Sequence, residues 1–235
     1  MSKEQGPACP FCDPRVEGDM FRYFEEYGRP EINLWNPYST ESVYVKPDVL
    51  PTNPEGHFLL VPRPHEYSFA AHNGRTVEAV GQAIHHMQEM LGESLVFFEH
   101  GGVVQGGNNM SVYHQHGHLV PDGGLNLLEA MADRLRKERI KFRLVDTSDT
   151  SPVANLNRIF GGEVYPYIYF QQGRLGLIAV SEEDAFVSQL GQSTMHGVFS
   201  DDQTLSWKTA LTDDRMARLS VARIAGIIDN CKYKP

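Results

Sequence analysis

The alternation of apolar and polar positions along the chain changes period several times, and each change predicts an element. Val77, Val80, Ile84, Met87 and Leu91 recur at helical spacing, which predicts a helix capped by Asn73 and ended by Gly92. His85 and His86 fall inside it and are expected to be partly exposed. A second helix is expected after Gly124, with Leu127, Leu128, Met131 and Leu135 on one stripe, and a last one over roughly 213–229. Continuous apolar runs predict strands instead. His57-Phe58-Leu59-Leu60-Val61-Pro62 reads as a buried strand closed by proline, Ser94-Leu95-Val96-Phe97-Phe98 as another, and further strand-like runs lie at 142–146, 164–170 and 175–180. The first 50 residues, rich in aromatics and prolines, read as loops with short strands. Strands and helices mix without a regular βαβ rhythm, so the expected class is α+β with a mainly antiparallel sheet. No internal repeat or low-complexity linker stands out. The expected organisation is a core over 1–122 with a C-terminal α/β extension, 123–235, packed on it.

Between the second and third of these runs lies Ser111-Val112-Tyr113-His114-Gln115-His116-Gly117-His118-Leu119-Val120-Pro121, bounded by Gly106-Gly107 and by Pro121-Asp122-Gly123-Gly124. It reads as a short strand between loops. On a strand, residues 114, 116 and 118 share one face. Three neighbouring imidazoles need a metal, an anion or a chain of hydrogen bonds, because each unpaired buried ring carries a desolvation cost. A purification tag is excluded by the mid-chain position. A merely solvated face would be built from Thr, Ser, Lys and Glu rather than spaced histidines.

Composition narrows the partners. The apolar content of 41% suffices for a packed core, and the net charge of −9 argues against broad binding to extended nucleic acid while leaving room for a nucleotide in a local pocket. Residues 134–139 alternate basic and acidic groups as a solvated helix face does. No long apolar segment and no leader in MSKEQGPACP point to a membrane or to export, and three cysteines are too few for a disulfide scaffold, so a reducing, cytoplasmic setting is expected.

Cys9-Pro10-Phe11-Cys12 has the spacing of a redox pair or of half a metal site, and can also be neither. Asp13-Pro14 directly afterwards does not continue a helix, which weighs against a thioredoxin-like role. A structural zinc needs four ligands, and His65, held between prolines and loop, and one histidine of the triad are the candidates to complete it. The triad itself suits phosphoryl chemistry. A neutral imidazole can attack phosphorus and form a phosphoramidate, provided its other nitrogen donates to a fixed acceptor. Neighbouring histidines and backbone amides can hold the phosphate oxygens as charge shifts. The glycine-rich run 101–111 has the composition to wrap a phosphate, although a flexible hairpin connection would look the same.

The run His114-Gln115-His116-Gly117-His118-Leu119-Val120 resembles the signature of the histidine-triad superfamily, His-x-His-x-His followed by two apolar residues. Other stretches resemble that superfamily in the same order: Cys9-Pro10-Phe11-Cys12, Asp48-Val49-Leu50-Pro51, and Gly56-His57 through Pro64-His65, followed by Ser111 before the triad. The resemblance covers about residues 9–122. It implies the superfamily's mainly antiparallel sheet with flanking helices. It further implies that His116 is the nucleophile on the α-phosphate of a nucleotide, that His118 holds the phosphate and assists the leaving group, and that His114 orients the strand. Asp48 would accept from the ribose hydroxyls. Ser111, with Asn109 and Gly107, would contact phosphate. Cys9, Cys12, His65 and His114 would hold a structural zinc, and the protein would be a homodimer.

Some positions depart from the pattern. Gly117 stands where compact hydrolases of the superfamily favour a larger apolar residue. His-x-His-Gly is similar instead to the galactose-1-phosphate uridylyltransferase branch, which has glutamine where this chain has His118. Met110 replaces a common glutamine. Glu99-His100-Gly101 occupies a stretch where asparagine is common, and a carboxylate there would disfavour a nearby phosphate unless neutralised. The leading expectation is a hydrolase of nucleoside phosphoramidates or dinucleoside polyphosphates acting through a nucleotidyl-histidine. A nucleotidyltransferase or phosphorylase using the same intermediate is the alternative, and a non-catalytic nucleotide-binding protein the second. In the C-terminal half, Tyr165, Tyr167, Tyr169 and Trp207 are expected to pack the core rather than stack a base, and His72 and His196 to be incidental.

Overall fold

The apolar runs become the inner strands of one antiparallel sheet. The structure, a computed structural model, describes residues 9, 11–12, 37–48, 51–53, 56–72, 74–102, 114–147, 151–161, 163, 165–181, 186, 189–200 and 225–226. Among them the strands are β1 (Tyr38–Ser39), β2 (Val43–Pro47), β3 (Phe58–Pro62), β4 (Leu95–Gly101), β5 (Gly117–Pro121), β6 (Arg143–Asp146), β7 (Tyr167–Gln172) and β8 (Leu175–Val180). Their order in the sheet is β1-β2-β3-β5-β4-β7-β8-β6, with every ladder antiparallel. The helices are α1 (Gly74–Leu91), α2 (Leu127–Lys137), α3 (Pro152–Phe160) and α4 (Leu190–Phe199). The class is α+β, as expected. The sheet is continuous across position 122, because β7 pairs with β4 along its whole length.

Two helix layers cover the sheet. On the back face, α1 and α3 bury Val80, Ala83, Met87, Val153 and Leu156 against Val43, Val45, Phe58, Leu60, Phe97 and Tyr169. On the front face, α2 and α4 bury Leu127, Met131, Leu135, Leu190 and Met195 against Val96, Phe98, Val120, Phe170 and Leu177. Apolar area removed from water on both faces supplies the main driving force, about 25 cal/mol per Å². The front face carries a separate small cluster near β2 and β3, where Phe11 packs on Tyr44, Leu59 and Val61. Registers align Lys46, Leu59, His118, Phe98 and Phe170 in one row across five strands. Residues paired in this way project from the same face.

Several expectations change. The histidine strand begins only at Gly117, so His114 and His116 lie in the approach to β5 rather than within it. The backbone amide of Gln115 donates to the Glu66 carbonyl at 2.9 Å, which ties this approach to the segment leaving β3. At Gly117, a Cβ would stand 2.1 Å from the Phe97 ring, so a larger residue at this position is excluded by packing. Helices α3 and α4 come from stretches in which no helix was expected. The final helix expected over 213–229 lies outside the described residues except at 225–226, which are helical. Tyr167 and Tyr169 are core residues, as expected, whereas Tyr165 is exposed.

Glu99 corrects another expectation. Alternation along β4 turns it to the back face, away from the histidines and into the core, where Oε2 accepts from the Tyr167 hydroxyl at 2.6 Å and Oε1 from the Phe69 amide at 3.1 Å. Burial raises its pKa from 4.5 to about 8, against the opposing effect of those two hydrogen bonds. The carboxyl therefore holds its proton at neutral pH. Because the folded state binds this proton more tightly than the unfolded chain, stability contributed by Glu99 is complete below about 4.5 and is lost as pH rises to about 8. The slope is at most about 1.4 kcal/mol per pH unit. Glu99→Gln, whose amide can accept from Phe69 and donate to Tyr167, should remove that slope. Chemical denaturation at pH values on either side of neutrality measures it, and parallel curves for wild type and variant would contradict the assignment.

Candidate active site and metal centre

Each histidine of the triad has a different neighbourhood. His114 is buried, and its Nε2 sits 2.7 Å from the Pro62 carbonyl at the end of β3. A carbonyl only accepts, so Nε2 carries the proton and Nδ1 presents a lone pair. That lone pair faces the sulfurs of Cys9 and Cys12, both 3.5 Å away, and Nδ1 of His65 lies 3.5 Å from the Cys12 sulfur. The four donor atoms all lie within 4.8 Å of one another. Zn–S bonds of about 2.3 Å and Zn–N bonds of about 2.0 Å at the tetrahedral angle place sulfur and nitrogen about 3.5 Å apart. The residues therefore fit a tetrahedral ion, and the cluster can hold a metal. The Pro62 carbonyl would serve as the outer partner that fixes a ligating imidazole. Burial lowers the His114 pKa to about 4, which keeps the ring neutral and available. Burial, with the neighbouring Cys9 thiol, raises Cys12 to about 11, so a metal must displace its proton on binding.

His116 is half-buried, with Nδ1 3.0 Å from the backbone carbonyl of His114. By the same argument Nδ1–H donates and Nε2 is the free base. Burial lowers its pKa, partly offset by that hydrogen bond. A neutral imidazole with a fixed tautomer and a bare Nε2 is what nucleophilic attack on phosphorus requires. Its ring packs edge-on against Phe11, centroids 4.9 Å apart, and against His118 at 5.1 Å. The segment at 9–12 therefore also walls one side of His116.

His118 lies flat on Phe98, centroids 4.4 Å apart and planes within 7°. Its Nδ1 is 2.9 Å from Nε2 of His57. The Thr52 amide donates to Nδ1 of His57 at 3.3 Å, which leaves the His57 proton on Nε2 and makes His118 Nδ1 the acceptor. The remaining proton of His118 then sits on Nε2, a donor for a phosphate oxygen. Burial pushes the pKa of His57 down and that of His118 well down, the latter also through its neighbours His57 and His116. Asp48, expected to face ribose, has Oδ2 3.4 Å from His57 Nε2 and 3.7 Å from His118 Nδ1, and accepts from Gln192 of α4 at 3.0 Å. Asp48, His57 and His118 also form a second buried group with donor atoms within 4.8 Å of one another.

His57 is the residue that sequence reasoning missed. It reads there as the first residue of a buried strand, and only the register of β3 against β5 brings it to His118. Replacing it with alanine leaves the His118 tautomer unspecified and should lower turnover by about 10–100-fold, the usual cost of losing an orienting partner. Steady-state rates with a circular-dichroism control check this, and an unchanged rate would remove His57 from the site. Cys9, Cys12, His65 and His114 come together as expected, as do His116 and His118 with Asp48. Ser111, Asn109 and Gly107 lie outside the described residues.

No protein-family model and no curated protein matches the chain. Among the solved structures that are similar to it are two uridylyltransferases. One, described as the structure of uridylyltransferase, is 14% identical, with 98% of this chain and 93% of that one covered at a TM-score of 0.41. The other, a uridylyltransferase mutant, is also 14% identical and covers 98% and 94% at a TM-score of 0.43. A likeness this loose carries no chemistry from those proteins to this one.

Proposed function

We propose that the chain moves a nucleotidyl group through a covalent intermediate on His116, and that the acceptor is phosphate or a sugar phosphate. The observation that carries the reading is the His116 tautomer, with Nδ1–H held by the His114 carbonyl at 3.0 Å and the ring's lone pair therefore on Nε2. The Nε2 lone pair attacks the α-phosphorus, and the bond from phosphorus to the leaving oxygen breaks, the leaving phosphate or sugar phosphate departing as its anion while the Nε2–H of His118 donates a hydrogen bond to it and keeps its proton. In the second half the acceptor oxygen attacks, the phosphorus–nitrogen bond breaks, and His116 regains its lone pair. Asp48 accepts from the ribose hydroxyls while Gln192 shares its carboxylate, and Ser111, Asn109 and Gly107 contact the phosphate. The ion at Cys9, Cys12, His65 and His114 is a structural zinc, and the working unit is a homodimer.

Helix α4 supports an acceptor other than water. It lies over the front face beside Phe98 and reaches Asp48 through Gln192, and a covered site protects a phosphoramidate from hydrolysis. A hydrolase of phosphoramidates or dinucleoside polyphosphates would pass through the same adduct. Intact-protein mass spectrometry after an alkaline quench, with nucleotide sugars, phosphoramidates and dinucleoside polyphosphates as donors, should show a nucleotidyl adduct. Sugar phosphate or phosphate should then discharge it faster than buffer does. Discharge by water alone at the same rate would favour the hydrolase. Among the described residues no helix is long and apolar enough to cross a membrane.

A further inference from the structure

Among the described residues a second set of metal-binding side chains converges beside the triad. Asp48 follows β2, His57 precedes β3 and His118 lies in β5, and all three are buried. The Asp48 amide donates to the His57 carbonyl at 2.9 Å, which carries the β2–β3 pairing one step further, while Leu59 pairs with His118. Sheet backbone therefore fixes where each side chain starts. Nε2 of His57 is 2.9 Å from Nδ1 of His118, and Oδ2 of Asp48 is 3.4 Å and 3.7 Å from those two nitrogens. Bonds of about 2.0–2.2 Å from a divalent transition ion to nitrogen and oxygen separate the ligand atoms by about 2.9 Å at a right angle and about 3.4 Å at the tetrahedral angle. The observed triangle lies within a small shift of such a set. His118 needs no change to ligate, since its Nδ1 already presents a lone pair and its Nε2 keeps the proton. His57 must move its proton from Nε2 to Nδ1, and the Thr52 hydroxyl oxygen, 3.2 Å from Nδ1, can accept it there. The Gln192 amide, which donates to Oδ2 of Asp48 at 3.0 Å, would be the outer partner of the carboxylate ligand.

We propose that Asp48, His57 and His118 form a second metal site, for a divalent first-row transition cation, separate from the cluster at Cys9, Cys12, His65 and His114. Two imidazoles and one carboxylate suit zinc, iron, cobalt or nickel better than magnesium or calcium. Three protein ligands leave a further position for water or another oxygen ligand, the pattern of catalytic rather than structural sites. Without a thiolate it is the weaker of the two sites, and it fills when a second equivalent of metal is supplied. The inference needs only these three side chains and stands apart from the nucleotidyl reading.

The test titrates cobalt(II) into the full chain after its cysteine cluster has been filled with zinc, which thiolates hold more tightly than cobalt. One further equivalent should bind, giving the visible absorption of cobalt without a sulfur-to-cobalt charge-transfer band. Proton NMR of that species should show a pair of strongly shifted imidazole N–H signals, from His57 Nδ1 and His118 Nε2, that disappear in deuterium oxide. His57→Gln and Asp48→Asn should each lose the equivalent. Thr52→Val, which removes the acceptor for Nδ1–H, should weaken it about 10–100-fold, the usual cost of losing an outer partner. On exposed turns of α1, His85 lies 3.3 Å from Glu89 and is the obvious adventitious site, so His85→Ala should keep the equivalent. Circular dichroism confirms that each variant folds. Absence of a second equivalent overturns the inference, as does a sulfur band, survival of the equivalent in His57→Gln and Asp48→Asn, or its loss in His85→Ala. If the variants at positions 48 and 57 do not fold, the wild-type NMR decides, and a spectrum without the shifted pair overturns the site. A missing nucleotidyl adduct on His116 would leave this inference standing, and a missing second ion would leave the nucleotidyl reading standing.

Discussion

Replacing His116 with asparagine should lower turnover by about ten-thousandfold or more and abolish the nucleotidyl adduct, the usual consequence of deleting a covalent nucleophile. Asparagine can still donate from its amide to the His114 carbonyl, so the approach to β5 keeps its local hydrogen bond while the attacking nitrogen is gone. Nucleotide affinity should change little, because His118 and Asp48 remain. The measurement pairs rapid-quench mass spectrometry with calorimetric binding. A variant that keeps its rate within a few-fold of wild type would falsify the nucleophile assignment. A variant that loses binding together with rate would place His116 in the binding of phosphate rather than in its transfer.

Removal of the metal should have the second largest effect. The four ligands come from three separate places, the segment at 9–12, His65 beyond β3 and His114 before β5, so one ion ties the segment at 9–12 to the end of the β3–β5 ladder. Cys12→Ser, or chelation of wild type, should lower the stability by about 3 kcal/mol or more, equivalent to roughly 10 °C in melting temperature for a chain of this size. Activity should fall with it, since the His114 carbonyl that fixes the His116 tautomer belongs to a metal-ligand residue. Because Cys12 must lose a proton to bind, affinity should weaken as pH falls. Elemental analysis should find about one zinc per chain. Metal-free protein with an unchanged melting temperature, its thiols shown to be reduced, would rule out the centre.

Much of this site was legible in the sequence, and the reasons differ by residue. Spacing alone marked the triad and Cys9-Pro10-Phe11-Cys12, because metal and phosphate chemistry restrict which side chains can serve and how far apart they stand. Strands β3 and β4 and helices α1 and α2 were legible because each buries a dense apolar run or stripe. Helix α3 carried its own signals, Pro152 in the first turn and Gly161 in the left-handed conformation at its end, φ 62°, and these were not used. Helix α4 gave little to read. It contains Gly191 and Gly197, its first cap is Gln189 in a left-handed conformation without a side-chain bond, and few apolar positions recur along it. His57 and Gln192 were illegible for a different reason. Their roles depend on which strand or helix lies alongside, and pairing across long separations leaves no local trace. The assignment of Glu99 to the phosphate side failed on a single step of strand alternation, which moves a side chain through the sheet.

The pairing of β4 with β7 also bears on how the chain reaches this state. During synthesis β4 and β5 emerge together with their flanking loops, yet the outer edge of β4 finds its partner only after α2, β6 and α3 have been made. Until then a row of backbone donors and acceptors beside Phe97 and Phe98 stays open to solvent and to any other extended segment. The histidine site is thus completed late, by the arrival of β7 and α4, and the half-made chain presents a template for misassociation. A fragment ending at residue 122 should accordingly aggregate from a ribosome-released state in which the whole chain folds, and supplying residues 123–235 in trans should rescue it.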